Sequence, residues 1–262
     1  MNPQTALITG ASSGIGLELA TLFAQDGINL VLVARNKERL ETIAADLHAR
    51  CNIGATVLAY DLAQPSAPEA IVQELQTRGL TIDYLVNNAG TQVYGPIQDT
   101  DVTRQLQLIQ VNLVALTHLT MLLLPDMVKR GAGRILNLSS IGGFAPAPLN
   151  AIYCASKAYI LSFSEGIARD LEHTGVTVTC LCPGATHTDF ARRADIEDMR
   201  FFRMSVMDAQ RVAQAGYAAL MKGETTIIPG LFNQLIAFSV RLSPRQLVTR
   251  VGRYLMSRAP KR

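Results

Sequence analysis

Seven short apolar runs alternate along this chain with longer segments of helical period, and no other feature of the sequence constrains the fold as much. The runs are ALIT (residues 6–9), NLVLVA (29–34), ATVLAY (55–60), IDYLVN (82–87), RILNLS (134–139), VTVTCL (176–181) and TTII (225–228). Continuous apolar runs, as opposed to alternating ones, are typical of strands that are buried on both faces of a parallel sheet. The segments between them, such as GLELATLFAQDG (16–27), carry apolar residues on one stripe and end in glycine or a polar turn. The sequence therefore predicts an α/β fold with a doubly wound parallel sheet of about seven strands and helices on both faces.

The chain divides into a long body and a short C-terminal extension. Its 262 residues are 48% hydrophobic, enough for one large core, and no repeat or Pro/Ser-rich linker interrupts the body. We therefore predict a single domain over residues 1–228. In the extension, residues 229–262, apolar residues recur at near-helical spacing with arginines between them, and Pro244 can start a second helix. This pattern predicts two short basic amphipathic helices.

Charge is distributed unevenly along the chain, although the net charge is only +3. No acid follows Glu224, whereas seven basic residues do: Arg241, Arg245, Arg250, Arg253, Arg258, Lys261 and Arg262. The preceding part carries 17 bases against 21 acids, and a mildly acidic body disfavours nucleic-acid binding. The extension leaves two interpretations open. It packs on the domain or across a dimer, or it attaches peripherally to an anionic membrane.

Cysteine usage and the N-terminal sequence indicate a cytoplasmic protein. The four cysteines form neither a CxxC pair nor a His/Cys cluster, which favours reduced thiols and no structural metal. They are Cys51, Cys154, Cys180 and Cys182. The start MNPQTALITG lacks a basic segment followed by an apolar core, so nothing in it predicts export. The longest apolar run, VALTHLTMLLLP (114–125), contains polar residues and stops at Pro125, short of the ~20 residues of a membrane span.

A glycine-rich turn follows the first apolar run directly. In TGASSGIG (9–16), Gly10, Gly14 and Gly16 let the backbone turn tightly and approach a pyrophosphate, whose charge free N–H groups and the helix dipole stabilise. The spacing differs from the GxGxxG dinucleotide fingerprint, and by itself such a turn is also compatible with a plain strand-to-helix connection.

Two further strand ends carry residues that suit an adenine nucleotide. Ala34 and Arg35 follow the second run, where an NAD enzyme usually places an acid, and an arginine suits the 2′-phosphate of NADP. Arg35 could equally be a surface residue at a helix start. Asp61, at the end of the third run, can accept a hydrogen bond from an adenine amino group or serve as an ordinary cap.

The stretch YCASK (153–157) places Tyr153 and Lys157 four residues apart, on one face if the segment is helical. Such a pair is also common on solvated helix surfaces. The surrounding motifs decide between these readings, because the sequence resembles the short-chain dehydrogenase/reductase family, of the NADP-preferring type, over nearly the whole body. The matching pieces, in order, are TGASSGIG, NNAG (87–90), Asn112, NLSS (137–140), YCASK and PGATHT (183–188).

The resemblance implies a Rossmann fold, NADP(H) as cofactor, and no metal. It implies Ser140, Tyr153, Lys157 and Asn112 as catalytic residues. Tyr153 would be the general acid in carbonyl reduction and the general base in the reverse direction. Lys157 would lower the pKa of Tyr153 and hold the nicotinamide ribose. Ser140, with Ser139 in second place, would bind the substrate oxygen.

Asn112 would kink its helix and position a water, with a solvated helix asparagine as the alternative, and Thr188 would bind the nicotinamide carboxamide. The implied cofactor-binding residues are Gly10, Ser12, Ser13, Gly14, Ile15, Gly16, Arg35, Asp61, Leu62, Asn88, Ala89, Gly90, Tyr153, Lys157, Pro183, Gly184, Thr186 and Thr188. A serine nucleophile has little support, because no G-x-S-x-G elbow is present. His187 is interpreted as incidental and Cys154 as a packing residue that points away.

The segments IGGFAPAPL (141–149) and DFARRADIEDMRFFRM (189–204) are expected to wall the substrate site. The candidate wall residues are Phe144, Leu149, Phe190, Phe201 and Phe202. Their apolar character favours a lipid-like, steroid-like or 3-oxoacyl ketone or secondary alcohol over a sugar, and hence a role in lipid metabolism. We expect a homodimer or homotetramer.

Two alternatives to an alcohol/ketone oxidoreductase stay open. One is a 3-oxoacyl thioester reductase, in which Arg192, Arg193, Arg200 and Arg203 receive a phosphopantetheine carrier, although Asp195, Glu197 and Asp198 weaken that charge. The other is a non-catalytic NADP-binding regulatory protein.

Overall fold

The computed structural model describes residues 4–194 and 196–258, without the side chains of Arg193 and Arg203. Its strands are β1 (Thr5–Thr9), β2 (Asn29–Ala34), β3 (Ala55–Ala59), β4 (Tyr84–Asn87), β5 (Gly133–Leu138), β6 (Val176–Leu181), β7 (Thr186–His187), β8 (Met207–Asp208) and β9 (Thr226–Ile227). Seven of them form one parallel sheet in the order β3-β2-β1-β4-β5-β6-β9. These seven strands lie in the seven apolar runs, so the predicted doubly wound sheet is confirmed. The short strands β7 and β8, which pair only with each other, were not foreseen.

Helices cover both faces of the sheet. They are α1 (Gly14–Gln25), α2 (Lys37–Cys51), α3 (Ala67–Thr77), α4 (Val102–Ile109), α5 (Leu116–Arg130), α6 (Ala151–Asp170), α7 (Asp189–Arg193), α8 (Arg200–Met204), α9 (Ala209–Lys222), α10 (Leu231–Leu242) and α11 (Arg245–Met256). Side chains of α1, α2 and α9 form one buried cluster with the sheet, and side chains of α3 and α5 form a second one. The side chains of the central strands are buried on both faces because each face meets one of these clusters.

The strand order reverses between β1 and β4, which lie side by side while β2 and β3 extend to one side and β5, β6 and β9 to the other. In open α/β sheets, ligands bind in the crevice that such a reversal opens at the carboxyl ends of the strands. The fold thus places the loops after β1, β4 and β5 around one crevice.

The apolar helix in the middle of the chain is longer than the sequence suggested. Helix α4, a π-helical turn (Gln110–Ala115) and α5 form a continuous segment from Val102 to Arg130, and Pro125 lies inside α5. The apolar run stops at Pro125 but the helix continues past it, and by length and composition alone this longer segment could cross a membrane. Its residues Leu119 and Met127 are fully buried against the sheet, so we interpret it as a core helix of the domain.

The extension forms the two predicted helices, α10 and α11, with Pro244 immediately before α11. Lys261 and Arg262 lie outside the described residues.

The four cysteines are free thiols, and the sulfur atoms of Cys180 and Cys182 are 3.7 Å apart. Within residues 4–194 and 196–258, no group of three or more His, Cys, Asp and Glu side chains could hold a metal ion.

Candidate active site

One cleft of about 800 Å³ opens at the carboxyl ends of the strands, where the sheet topology places a ligand. Every candidate site residue lines it except Gly16 and Asn112. Those in the cleft are Gly10, Ser12, Ser13, Gly14, Ile15, Arg35, Asp61, Leu62, Asn88, Ala89, Gly90, Ser140, Tyr153, Lys157, Pro183, Gly184, Thr186 and Thr188. The motifs are separated by up to 178 positions in sequence, between Gly10 and Thr188, and the fold brings them together.

The glycine turn after β1 needs glycine for two different reasons. Gly10 and Gly14 have positive φ angles of 67° and 57°, which other residues rarely adopt. Gly16 instead faces the protein interior: a Cβ atom there would lie 2.3 Å from Asn88 Nδ2 and 2.4 Å from the Gly10 carbonyl oxygen. Asn88 Nδ2 also donates to the carbonyl oxygens of Thr9 and Gly10, at 2.9 and 3.2 Å. Gly16 therefore allows the contact that ties the turn to the end of β4.

The loop after β6 closes on the same turn. A Cβ atom on Gly14 would lie 2.9 Å from the Thr188 Cγ2 atom, so the two segments touch only because residue 14 is glycine. His187 is exposed on β7 and lies outside the cleft lining.

Positive charge collects at the far end of the cleft, after β2. Arg35 is exposed and lines the cleft together with Asn36 and Arg39, neither of which the sequence reasoning singled out. The Asn36 side chain accepts a hydrogen bond from the Arg39 N–H at 2.9 Å and caps α2. The four-residue spacing between Arg35 and Arg39 was the available signal for the second arginine. Nearby, Asp61 lines the cleft and also accepts from the Ala63 N–H at 3.1 Å.

The two serines after β5 differ sharply in their surroundings. Ser139 is 2% exposed, and its hydroxyl donates to the Lys157 carbonyl oxygen at 2.7 Å. Ser140 lines the cleft, where its Oγ atom accepts from the Gly142 N–H at 3.1 Å. The Oγ atom also donates to the Pro183 carbonyl oxygen at 3.4 Å, and Ser140 lies close enough to Tyr153 to lower the tyrosine pKa. Ser139 also lines the cleft, but its hydroxyl is engaged by the Lys157 carbonyl, which leaves Ser140 as the serine with a hydroxyl available beside the tyrosine.

Tyr153 and Lys157 both face the cleft from α6. The Lys157 Nζ atom lies 5.7 Å from the centre of the Tyr153 ring and donates to the Leu138 carbonyl oxygen at 2.7 Å. Burial raises the pKa of Tyr153 well above its ordinary value, and the hydrogen bond with Ser140 opposes this only in part. Burial also lowers the pKa of Lys157 to about 8. The expected lowering of the tyrosine pKa by Lys157 is not seen in the protein alone: burial sets the direction of the shift, and Lys157 is not among the groups that oppose it.

Asn112 is fully buried in the π-helical turn, behind the cleft wall. Its Oδ1 atom accepts from the Thr91 N–H at 2.9 Å, and its Nδ2 atom donates to the Thr91 carbonyl oxygen and to Ser156 Oγ, at 3.0 and 3.1 Å. The solvated-asparagine alternative is therefore wrong. The π-helical turn provides the helix irregularity that the resemblance implied.

The apolar end of the cleft differs in part from the expected wall. Phe190, Phe201 and Phe202 line it, and the Phe190 and Tyr153 ring centres are 6.0 Å apart. Phe144 and Leu149 do not. Phe144 packs on a buried cluster beside α6, and Leu149 has a positive φ of 70°. Their places are taken by residues from later in the chain: Ile196, Met199, Ile236, Gly252, Leu255 and Met256.

Three contacts hold α11 over this end of the cleft. The Tyr94 hydroxyl donates to the Met256 carbonyl oxygen at 2.7 Å, and Asn150 Nδ2 contacts the Met256 sulfur at 3.3 Å. The Arg200 guanidinium lies 4.4 Å from the centre of the Tyr254 ring. The extension therefore packs on the domain with its inner face, and one end of α11 forms part of the cleft wall.

Two expectations about the cleft residues change. Cys154 was expected to point away, yet it lines the cleft, and burial raises the pKa of its thiol to about 11. A thiol with that pKa is not a nucleophile at neutral pH.

Of the arginines proposed to receive a carrier, Arg192 pairs with Asp189 and Arg200 stacks on Tyr254. The side chains of Arg193 and Arg203, and all of Asp195, lie outside the described residues.

Comparisons with known proteins agree with this arrangement. A family model described as short chain dehydrogenase matches residues 4–198. A short-chain dehydrogenase from Sphingobium yanoikuyae, solved in complex with NADPH, is 34% identical, with a TM-score of 0.80 over 91% of this chain and 94% of that chain. A bulky-bulky ketone specific alcohol dehydrogenase from Comamonas testosteroni is 32% identical, with a TM-score of 0.78 over 92% and 94%. A very-long-chain 3-oxoacyl-CoA reductase from Phaeosphaeria nodorum is 38% identical over 180 residues, which cover 67% of this chain and 53% of the relative.

Proposed function

This chain belongs to the short-chain dehydrogenase/reductase family, and we propose that it is an NADP(H)-dependent oxidoreductase that interconverts a secondary alcohol and a ketone on an apolar substrate. One observation carries the proposal: a single cleft is lined by the arginines after β2, the glycine turn, the Ser140–Tyr153–Lys157 group and an apolar wall. A nucleotide-sized ligand and an apolar substrate can therefore meet beside Tyr153.

The cleft residues fit NADP(H). Arg35 and Arg39 offer two guanidinium groups for the 2′-phosphate, and the glycine turn leaves space for a pyrophosphate at the start of α1. The NADPH complex of the Sphingobium relative supports the same assignment. When bound, the nicotinamide supplies or accepts the hydride, and the protein supplies position and protons.

We assign the proton step to Tyr153. Because its pKa is raised, the hydroxyl stays protonated at neutral pH and can donate to a developing alkoxide when a ketone is reduced. Ser140 presents a second hydroxyl on the same side of the cleft and would hold the substrate oxygen. Lys157, positioned by the Leu138 carbonyl, would bind the nicotinamide ribose, and Asn112 would act behind the wall as a positioning residue for the Thr91 backbone.

The 3-oxoacyl thioester reductase is the second candidate. The apolar cleft and the Phaeosphaeria relative favour it. Against a phosphopantetheine carrier stand the pairing of Arg192 with Asp189 and the stacking of Arg200 on Tyr254, which engage two of the proposed carrier arginines. The non-catalytic alternative has the least support, because Ser140, Tyr153 and Lys157 all lie in the cleft.

A substrate panel tests the proposal. Bulky aliphatic ketones, steroid ketones, 3-oxoacyl thioesters and keto-sugars are each offered with NADPH and with NADH, and cofactor oxidation is followed. We expect turnover of the apolar ketones and tighter binding of NADPH, by the ~1–3 kcal/mol of a charged hydrogen-bonded contact. Arg35→Ala should remove that preference, while Arg50→Ala, at the other end of α2, should keep it. Equal affinity of the unmodified protein for both cofactors would contradict the assignment.

We further propose a cytoplasmic homodimer or homotetramer, with residues 1–228 as its domain. Leu106, Val114 and Met121 on the central helix segment are exposed, and both acids and bases, such as Asp126 and Lys129, lie on the same segment. An apolar face with mixed charge suits contact with a second copy. Analytical ultracentrifugation should show an oligomer that Met121→Glu dissociates, and a monomeric unmodified protein would exclude this proposal.

A further inference from the structure

Helix α10 is apolar on two opposite sides. Its inner side buries Asn233 and Ala237, at 2% and 3% exposure, and Ile236 reaches the cleft. Its outer side carries a stripe at helical spacing, Leu231, Leu235, Phe238 and Leu242, which are 71%, 59%, 60% and 73% exposed. An apolar helix face normally packs against another element, and in the described chain nothing covers this outer stripe.

Helix α11 continues this exposed surface. Its inner side provides Gly252, Leu255 and Met256 to the cleft, while Leu247 and Val251 are exposed next to it. We give the name outer C-terminal face to six exposed apolar side chains of the two helices. They are Leu231, Leu235, Phe238, Leu242, Leu247 and Val251.

The two helices that form this face carry charge of a single sign. Arg241, Arg245, Arg250 and Arg253 are exposed on the two helices, and no acidic residue follows Glu224 anywhere in the sequence. Among the described residues, none of these four arginines makes an ion pair. A second copy docking here through a two-fold axis would bring arginines against arginines, whereas the exposed face of the central helix segment carries both signs.

We propose that the outer C-terminal face binds an anionic lipid surface. The apolar stripe would lie in the interface between headgroups and acyl chains, and the arginines would contact the anionic headgroups. Docking in this way would place the cleft next to a lipid phase, because the same two helices form part of the cleft wall. The inference rests on exposure and charge, and it holds whichever reaction the cleft performs.

Co-sedimentation of the full chain with vesicles tests the inference. Vesicles of phosphatidylcholine mixed with anionic phosphatidylglycerol are compared with vesicles of phosphatidylcholine alone, at low and at high salt. We expect the protein to sediment with the anionic vesicles at low salt, to be released at high salt, and to stay in solution with the neutral vesicles.

Two variants separate the contributions of charge and apolar surface. The first, Arg241→Gln with Arg245→Gln and Arg250→Gln, should bind the anionic vesicles about fivefold more weakly for each arginine removed. The second, Leu235→Gln with Phe238→Gln, should lose binding while retaining its circular dichroism spectrum. The matched control, Arg78→Gln with Arg169→Gln and Arg211→Gln, removes the same number of charges from exposed positions outside α10 and α11 and should bind like the unmodified protein.

Two results would overturn the inference. In the first, the control variant loses as much binding as the C-terminal arginine variant, which would make the attraction a property of net charge. In the second, the full chain ignores the anionic vesicles, and Leu235→Gln with Phe238→Gln lowers the molecular mass in solution, which would assign this face to a second copy.

Discussion

The Lys157 ammonium lies 5.7 Å from the centre of the Tyr153 ring, one helical turn away, and is anchored by the Leu138 carbonyl oxygen at 2.7 Å. Burial acts on the two side chains in opposite directions. It raises the pKa of the tyrosine and lowers the pKa of the lysine, because in each case it disfavours the charged form. A pocket built in this way keeps the phenol protonated, as carbonyl reduction requires of an acid.

Replacing Tyr153 by phenylalanine removes the proposed proton donor and keeps the ring. We expect turnover of the best ketone substrate to fall ~100-fold or more, with little change in NADPH affinity, because the lost interaction acts in the chemical step. Tyr159→Phe is the matched control. Tyr159 lies on the same helix, and its hydroxyl forms a hydrogen bond with the Thr117 hydroxyl outside the cleft, so the turnover of the Tyr159→Phe enzyme should stay normal. Near-normal turnover of the Tyr153→Phe enzyme would remove Tyr153 from the mechanism.

Two glycines should respond in opposite ways to alanine. At Gly16 the added methyl would overlap the Gly10 carbonyl oxygen, so we expect a loss of ~1–3 kcal/mol in unfolding free energy and weaker NADPH binding. At Gly166, inside α6, the added methyl meets nothing within 4 Å, and alanine should stabilise the helix by ~0.5–1 kcal/mol. Chemical denaturation of both variants, with a NADPH titration, checks the pair. A Gly16→Ala protein as stable as the parent would show that the turn has more room than the structure gives it.

The sheet, and the meeting of the glycine turn with the later motifs at one edge of it, could be predicted because each depends on local patterns. A strand that is covered on both faces must be apolar throughout, so seven such runs gave seven parallel strands. Since the carboxyl ends of parallel strands lie along the same edge of the sheet, the residues that follow β1, β4 and β5 had to meet at that edge.

The substrate end could not be predicted in the same way. Proximity in sequence to Ser140 suggested Phe144, but this residue follows a 3-10 turn and points into the cluster of Leu116 and Ile160. Met256 reaches the cleft from the far end of the chain, and only the packing of α11 on Tyr94 and Asn150 brings it there. The irregular turn at Asn112 likewise depends on tertiary bonds to Thr91.

The buried lysine predicts a dependence of stability on pH in the cofactor-free protein. Its pKa is about 8 when folded and 10.5 ordinarily, so between these values the unfolded chain binds more protons and stability rises with pH. From pH 7 to 9.5, this group should add about 2 kcal/mol to the unfolding free energy. Lys157→Met should lack this rise, and urea denaturation of both proteins across the range measures the difference. If the two proteins depend on pH identically, Lys157 does not carry the shift.

The last prediction separates the observed cleft wall from the expected one. Phe190 faces the cleft, with its ring centre 6.0 Å from that of Tyr153, so Phe190→Ala should enlarge the space beside the reacting carbonyl. We expect kcat/KM to shift towards bulkier ketones by the ~10–200-fold that pocket contacts of this size control, with a modest change in stability.

Phe144→Ala is the matched control, because Phe144 packs on the cluster of Leu116, Ile160 and Leu161 outside the cleft. Because Phe144 is only partly buried, that variant should lose ~2 kcal/mol of unfolding free energy, and it should keep its substrate preference. Kinetics of both variants on a graded series of ketones, together with denaturation curves, distinguishes the two roles. A change of preference in Phe144→Ala with none in Phe190→Ala would place the substrate on the other side of Tyr153.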